Sequence, residues 1–298
     1  MKIGIIGAGA FGSALAVAYG RKGLEVALWA RGKPHARSYP KTVFHTQDLA
    51  DLQGAAAILL VVPAQKTATF LSQYKLPAAP LVLCAKGIDA ATGQLQSEIA
   101  GQFTEAPVSI LTGPGFAGEI AAGLPTALTL AGGNAAQQAL LSTPRLRLYR
   151  TDDLIGAQAG GALKNVIALA CGMAIGAGLG ESARAALLTR GFAEMQRLGV
   201  ALGGKAATFQ GLSGLGDLAL TCASEQSRNF AQGLAFGRGN GQTGGTVEGL
   251  ATAKAAADLA AKLGVEAPIT AAVAAVVSGN ASVEAAMQSL LSRPLKEE

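Results

Sequence analysis

The chain has 298 residues, half of them hydrophobic and 14% charged; that is enough apolar material for a packed core and, by length, for two domains, and it excludes a disordered chain. Its 24 basic and 19 acidic residues leave a net charge of +5, but no basic run or aromatic–basic interleaving accompanies them, so a nucleic-acid partner is not expected. The three cysteines, Cys84, Cys171 and Cys222, are far apart and form no CxxC pair, which argues against a disulfide framework or a metal site and fits a reducing cytoplasm.

In chain order, short apolar runs at residues 2–6, 25–29, 57–62, 81–85, 108–111, 127–131 and 146–149 read as strands, with helical patterns between them. Runs this apolar suit strands covered on both faces, as in a parallel sheet with helices on each side. The expectation is a doubly wound, Rossmann-type α/β domain. The opening run from Lys2 to Ala18 resembles a secretion signal superficially, but glycines 4, 7, 9 and 12 break that pattern.

The pattern changes at Asp152-Asp153, a helix-start signal. From there, residues 156–177, 183–202, 246–263, 269–277 and 283–291 read as helices. Residues 166–180 carry no charge but contain four glycines and fall short of the ~18 apolar residues of a membrane span, so a buried helix is expected and no membrane span. The division expected is residues 1–153 for dinucleotide binding and 154–298 as an all-helical substrate-binding and catalytic domain.

The segment Gly7-Ala8-Gly9-Ala10-Phe11-Gly12 follows the first strand and opens a helix. In such a fingerprint Gly7 permits a tight turn, Gly9 lets the backbone approach a pyrophosphate, and Gly12 lets helix and strand pack closely. The helix N-terminus adds free N–H groups and a favourable dipole. The alternative is a glycine-rich turn that binds nothing. Where NAD-specific domains place an acidic residue, this chain has Arg31, followed by Lys33 and Arg37. A guanidinium there can pair with a 2′-phosphate, which favours NADP(H) over NAD(H); the bland reading is an arginine stacked on the adenine or facing solvent.

Reducing a ketone by hydride requires a proton donor and a positive field around the developing alkoxide. The two histidines, His35 and His45, lie close together in a polar stretch and read as exposed loop residues. Lysine is the better candidate. Lys164 is the only charge between Asp153 and Glu181, so it either snorkels to the surface or is held in a site, where burial and a second cation would lower its pKa. Lys86 follows the fourth strand, at the carboxyl edge where open α/β sheets bind ligands; a solvated surface lysine is the alternative. A third cluster runs from Gly214-Leu215-Gly216-Asp217 through Thr221-Cys222 to Ser227-Arg228-Asn229. Asp217 can orient an ammonium group, and Arg228 and Asn229 can grip a phosphate; otherwise Asp217 is a helix cap and Arg228 a surface charge.

With these residues in view, the chain resembles the NAD(P)-dependent glycerol-3-phosphate dehydrogenases, particularly the bacterial form. The resemblance spans nearly the whole chain. It rests on the Gly7–Gly12 block, Lys86-Gly87-Ile88, Gly113-Pro114-Gly115-Phe116-Ala117, Gly161-Ala162-Leu163-Lys164-Asn165, Leu188-Thr189-Arg190-Gly191, Gly214–Asp217, Ser227–Asn229 and Val247-Glu248-Gly249. It implies reversible reduction of dihydroxyacetone phosphate to sn-glycerol 3-phosphate, a role in phospholipid supply, a cytoplasmic location and a homodimer. It further implies that Lys164 transfers the proton, that Lys86 touches substrate and cofactor, and that Asp217 belongs to the active site. Gly113, Ser227, Arg228 and Asn229 match substrate-binding positions, and Ala10, Phe11, Arg31, Ala117, Arg228, Val247 and Glu248 match cofactor contacts. Two departures stand out: the connection from Arg31 to Thr46-Gln47-Asp48-Leu49 is shorter than usual, and Gly115 stands where the family commonly has a hydroxyl residue. The rivals are a hydroxyacid dehydrogenase of similar build, disfavoured by the Gly-Asp and Ser-Arg-Asn blocks, and a non-catalytic NADPH sensor, which needs no proton donor.

Overall fold

The computed structural model describes residues 1–32, 35 and 38–294; Lys33 and Arg37, read above beside Arg31, lie outside them. Strands β1 (Lys2–Ile6), β2 (Glu25–Trp29), β3 (Val43–Thr46), β4 (Ile58–Leu60), β5 (Leu81–Leu83), β6 (Val108–Thr112), β7 (Thr126–Ala131) and β8 (Leu146–Thr151) form one sheet. Its order is β3-β2-β1-β4-β5-β6-β7-β8. Helices α1 (Ala10–Arg21), α2 (Thr67–Gln73), α3 (Gln96–Gly101), α4 (Ala117–Ala122) and α5 (Ala135–Leu141) accompany the strands. One apolar cluster on each face, around Leu15 and Leu128 on one and Trp29 and Phe70 on the other, explains the unbroken apolar runs.

Two features were not legible. β3 escaped notice because it is an edge strand: Phe44 and His45 are exposed, so no apolar run marks it. His45 is thus exposed as expected, but on a strand rather than in a loop. β7 pairs antiparallel with β6, whereas the other neighbours are parallel. A strand covered on both faces has the same composition whichever way it runs.

The chain direction reverses its lateral course between β1 and β4, because β2 and β3 lie on one side and β4 to β8 on the other. Open α/β sheets bind ligands in the crevice this creates at the carboxyl ends. Gly7 stands there with φ +107°, and a Cβ on it would lie 2.4 Å from the Val61 carbonyl oxygen. A Cβ on Gly12 would lie 1.9 Å from the Gly7 oxygen. No residue but glycine fits either place.

Beyond the sheet the chain is helical: α6 (Leu154–Gly176), α7 (Gly180–Ala201), α8 (Ala206–Phe209), α9 (Asp217–Cys222), α10 (Arg228–Gly237), α11 (Glu248–Lys262), α12 (Pro268–Val277) and α13 (Val283–Leu291). Asp153 caps α6 as its position suggested: Oδ1 accepts from the Gly156 N–H and Oδ2 from that of Lys205. α6 is long and apolar enough to cross a membrane, but 89% of its apolar window is buried within the protein. Helices α7, α9, α10, α11 and α12 all pack on it. Helices α8, α9 and α10 lie outside the helical segments read from the sequence: α8 is only four residues long, and glycines crowd the entry to α9 and the interior of α10.

The glycines have a packing reason. α10 crosses α6 so closely that a Cβ on Gly172 would lie 2.1 Å from the Phe230 oxygen, and one on Gly233 would lie 2.2 Å from the Leu169 oxygen. Gly233→Val is therefore expected to lower unfolding free energy by about 3 kcal/mol, by forcing two backbones apart. Urea denaturation of the variant checks this; a loss below about 0.5 kcal/mol would contradict the crossing.

Candidate active site

The carboxyl edge of the sheet meets the helical half at four charged or polar side chains. Lys86 follows β5 and reaches across the edge. Its Nζ donates to Asp217 Oδ2 at 2.6 Å and to the Gly113 carbonyl at 2.8 Å. Gly113 follows β6 with φ +127°, a conformation in which glycine is favoured. Lys164, midway along α6 and only 7% exposed, donates to Thr221 Oγ1 at 2.8 Å and lies 3.2 Å from Asp217 Oδ1. Thr221 in turn donates to Asp217 Oδ1 at 3.2 Å. Asp217, in the first turn of α9, thus has a lysine on each carboxylate oxygen.

Local sequence sets this up. Gly160 and Gly161 on α6 allow the close approach. A Cβ on Gly160 would lie 2.6 Å from the Ser213 oxygen, and one on Gly161 would lie 2.6 Å from Thr112 Oγ1. The Leu212–Gly216 π-turn leads into α9, and there a Cβ on Gly214 would lie 2.0 Å from the Phe209 oxygen. These glycines let the Asp217 backbone sit against α6.

The electrostatics are those of a buried ion cluster. Burial is the main influence on Lys164 and pulls its pKa down from the usual 10.5 to about 8; the Asp217 carboxylate opposes that fall and the Lys86 ammonium adds to it. For Asp217, burial acts to raise the pKa, but the two ammonium groups and their hydrogen bonds outweigh it and hold the carboxyl below its usual value. A lysine poised near neutrality beside a fixed carboxylate can release and recover a proton.

The second group lies beside the first. Ser227 caps α10, its Oγ accepting from the Phe230 N–H. Arg228 is the exposed first residue of that helix. Asn229 is buried, with Nδ2 donating to Asn165 Oδ1 at 2.8 Å and Oδ1 accepting from the Gly249 N–H at 2.9 Å. Asn165 Nδ2 donates to the Lys86 carbonyl at 2.9 Å. Lys164 and Arg228 are therefore joined through their chain neighbours.

Glu248 opens α11 just after Val247, its N-cap. Its Oε1 accepts from the Ala64 N–H at 3.2 Å, while Oε2 is buried with no hydrogen-bond partner among the described residues. Burial raises its pKa, against the Ala64 hydrogen bond and the positive charge of Arg228. Ala64 stands three residues past Val61, which touches the Gly7 turn, so Glu248 ties the helical half to the dinucleotide fingerprint. Ala10 and Phe11 begin α1 and Ala117 begins α4. Arg31, exposed beyond β2, is held by a Gln47 side chain on its carbonyl at 3.4 Å, and β2 lies three strands along the sheet from β5.

Two members of the cluster had been named only as parts of motifs. Thr221 follows Asp217 by four residues, a helical spacing that stacks both on one face. Asn165 is a carboxamide in an apolar helix, and such a group needs a partner.

Family models for the NAD-dependent glycerol-3-phosphate dehydrogenase N-terminus and C-terminus match residues 2–138 and 153–288. The chain belongs to this family. Among its relatives, the glycerol-3-phosphate dehydrogenase [NAD(P)+] of Cereibacter sphaeroides is 55% identical over 246 residues, covering 80% of each chain. That of Paracoccus denitrificans is 53% identical over 253 residues, again covering 80% of each. The crystal structure of glycerol-3-phosphate dehydrogenase from Coxiella burnetii superposes with a TM-score of 0.91 at 36% identity, covering 98% of this chain and 99% of that one. A ketopantoate reductase from Ralstonia eutropha shares the fold alone, with a TM-score of 0.62 at 17% identity.

Proposed function

We propose that the chain reversibly reduces dihydroxyacetone phosphate to sn-glycerol 3-phosphate, and so feeds glycerophospholipid synthesis. The observation that carries this reading is the buried Lys164–Asp217–Lys86 cluster at the sheet's carboxyl edge. It pairs a proton donor for a ketone oxygen with the exposed Arg228 at the start of α10 for a phosphoryl group.

The fingerprint suits a dinucleotide. Among the described residues none lies within 4 Å of where a Gly9 Cβ would stand, which suits a pyrophosphate at the start of α1. Gly7, Gly9, Ala10, Phe11 and Gly12 would hold that group, Arg31 the adenosine end, and Lys86, Ala117, Arg228, Val247 and Glu248 the nicotinamide half. Arg31 favours NADP(H), with NAD(H) accepted less readily. A reduced nicotinamide bound there supplies the hydride.

The chain's own residues do the rest. Lys164 gives its proton to the ketone oxygen as negative charge builds on it. Lys86 adds positive field, and Asp217 keeps both ammonium groups aimed inward. Thr221 holds Lys164 Nζ in line. Arg228 pairs with the substrate phosphate, with Gly113, Ser227 and Asn229 shaping that end. In reverse, neutral Lys164 takes the hydroxyl proton. We read residues 1–153 as the nucleotide-holding unit and 154–298 as the unit that brings Lys164, Asp217 and Arg228 to it, in a cytoplasmic homodimer.

The test is NADPH and NADH oxidation, measured separately, with dihydroxyacetone phosphate. Protein that binds NADPH yet oxidises none with this ketone would sink the reading and favour a sensor. Arg228→Ala is expected to raise KM for the ketone about 10- to 100-fold, since a hydrogen bond to a charged group contributes about 1.5–3 kcal/mol. An unchanged KM would remove Arg228 from the phosphate.

A further inference from the structure

We infer that His35 reads the 2′-phosphate of the dinucleotide together with Arg31, and so is a second determinant of the preference for NADP(H). This rests on the dinucleotide reading of the crevice given above, and gives a role to a histidine that no step of the mechanism uses.

The sheet fixes the place. In a doubly wound domain the adenosine ribose sits at the carboxyl end of the second strand, beside the glycine turn that follows the first. Here the Gly7 N–H donates to the Trp29 carbonyl at 2.9 Å, so that turn and the end of β2 are hydrogen-bonded neighbours. Arg31 leaves the end of β2 and is exposed. Four residues later, the His35 N–H donates to the Ala8 carbonyl at 2.9 Å. Ala8 is the middle residue of Gly7-Ala8-Gly9. The His35 backbone is thus pinned to the phosphate turn itself, and the residue is exposed, as Arg31 is.

A second fastening reaches the same carbonyl. Tyr39 Oη donates to Ser13 Oγ at 2.8 Å, and Ser13 Oγ donates to the Ala8 oxygen at 3.0 Å. Ser13 is 2% exposed. Ala8 therefore holds His35 directly and Tyr39 through a buried hydroxyl.

The charges agree with this placement. An NAD-specific site presents a carboxylate to the ribose hydroxyls. The first acidic residues after β2 are Asp48 and Asp51, and both are engaged elsewhere. Asp48 Oδ1 accepts from the Ala50 N–H at 2.9 Å, and Asp51 Oδ2 accepts from Thr46 Oγ1. An imidazole offers one N–H donor when neutral and two when charged. His35 can therefore hold a phosphate oxygen in either state, beside the guanidinium fork of Arg31. A ribose 2′-hydroxyl brings no charge to either group, so NADPH gains from the pair and NADH does not.

The experiment compares wild type with His35→Ala, His35→Gln and Arg31→Ala by isothermal titration calorimetry on the full chain. The titrants are NADPH and NADH, with adenosine 2′,5′-bisphosphate and 5′-AMP as probes of the adenosine end alone. His35→Ala keeps the backbone N–H that meets Ala8, so the turn stays fastened. It is expected to weaken NADPH and adenosine 2′,5′-bisphosphate about 10-fold, and NADH and 5′-AMP by less than about twofold. Arg31→Ala should show the same selectivity. His35→Gln keeps an N–H donor and should bind NADPH at least about threefold more tightly than His35→Ala. Turnover at saturating NADPH should stay at the wild-type value. Equal losses for NADPH and NADH, the mark of an imidazole stacked on the adenine, would overturn the inference, as would no loss for either. Wild-type protein that binds NADPH yet reduces no dihydroxyacetone phosphate would sink the substrate reading alone, because the binding comparison needs no turnover.

Discussion

Replacing Lys164 by alanine is expected to lower turnover about 10²- to 10⁴-fold in both directions, the range associated with losing a positioned general acid. KM and NADPH affinity should change little, because Lys86 and Arg228, the substrate contacts proposed above, remain. The pH dependence gives a sharper signature. The lysine pKa is depressed from 10.5 to about 8 by burial. Reduction uses the protonated form, so wild-type turnover should fall as pH rises through about 8, while oxidation of glycerol 3-phosphate should rise over the same interval. Both inflections should vanish in Lys164→Ala. Steady-state kinetics from pH 6 to 10 measure this, and a variant that keeps the inflection would assign it to another group.

The same shift has a consequence for stability. Between about 8 and 10.5 the unfolded chain holds the Lys164 proton and the folded protein has released it. The unfolded state therefore binds more protons in that window, and the contribution of this group to stability rises with pH across it. Lys164→Ala removes that slope.

The second large effect is expected at Asp217. Its carboxylate is 2% exposed and lies between two ammonium groups. Asp217→Asn keeps the shape and removes the countercharge. Leaving buried charge uncompensated costs about 3–5 kcal/mol, so chemical denaturation at pH 7 should show a loss of that order. Some of the loss should disappear at high pH, where Lys164 is neutral. Activity should fall for a related reason. Without the carboxylate, burial and the Lys86 charge act on Lys164 unopposed, so its pKa drops further below about 8. Less acid form is present at neutral pH, and the reduction profile should move to lower pH. An Asp217→Asn variant of wild-type stability and unchanged pH profile would contradict the cluster as described.

Charge and shape thus make different demands on this site. Arg228 is exposed and, among the described residues, its side chain makes no hydrogen bond, its charge acting on Glu248, so its effect should fall on KM. Lys164 and Asp217 are buried and mutually paired, so their effects should fall on turnover and stability together. Asn229, one residue from Arg228, divides the two cases: its neighbour in sequence faces solvent, while its own side chain faces α6 and α11.

The amino-acid sequence by itself determined the alternation of apolar strands and helices up to about Asp153, the glycine fingerprint at the end of β1, and the isolation of Lys164 in an apolar helix. Each is a local property. Periodicity, a forced turn and a charge that must be compensated can all be read without knowing what lies across the fold. Motif blocks then brought Lys86, Asp217, Arg228 and Glu248 into one list, but not into one geometry.

Only the tertiary structure decided the rest. β3 has no apolar signature because one neighbour and one covered face suffice for an edge strand. The direction of β7 leaves no trace in composition when both faces are buried. α9 and α10 hide behind glycines that weaken helix propensity, yet are there because backbones pass within contact of α6. Thr221 and Asn165 also meet partners 57 and 79 residues away, Lys164 and Lys86. A hydrogen bond between distant segments is a fact about the space the chain encloses, and neither residue type nor spacing along the chain encodes which groups will meet there.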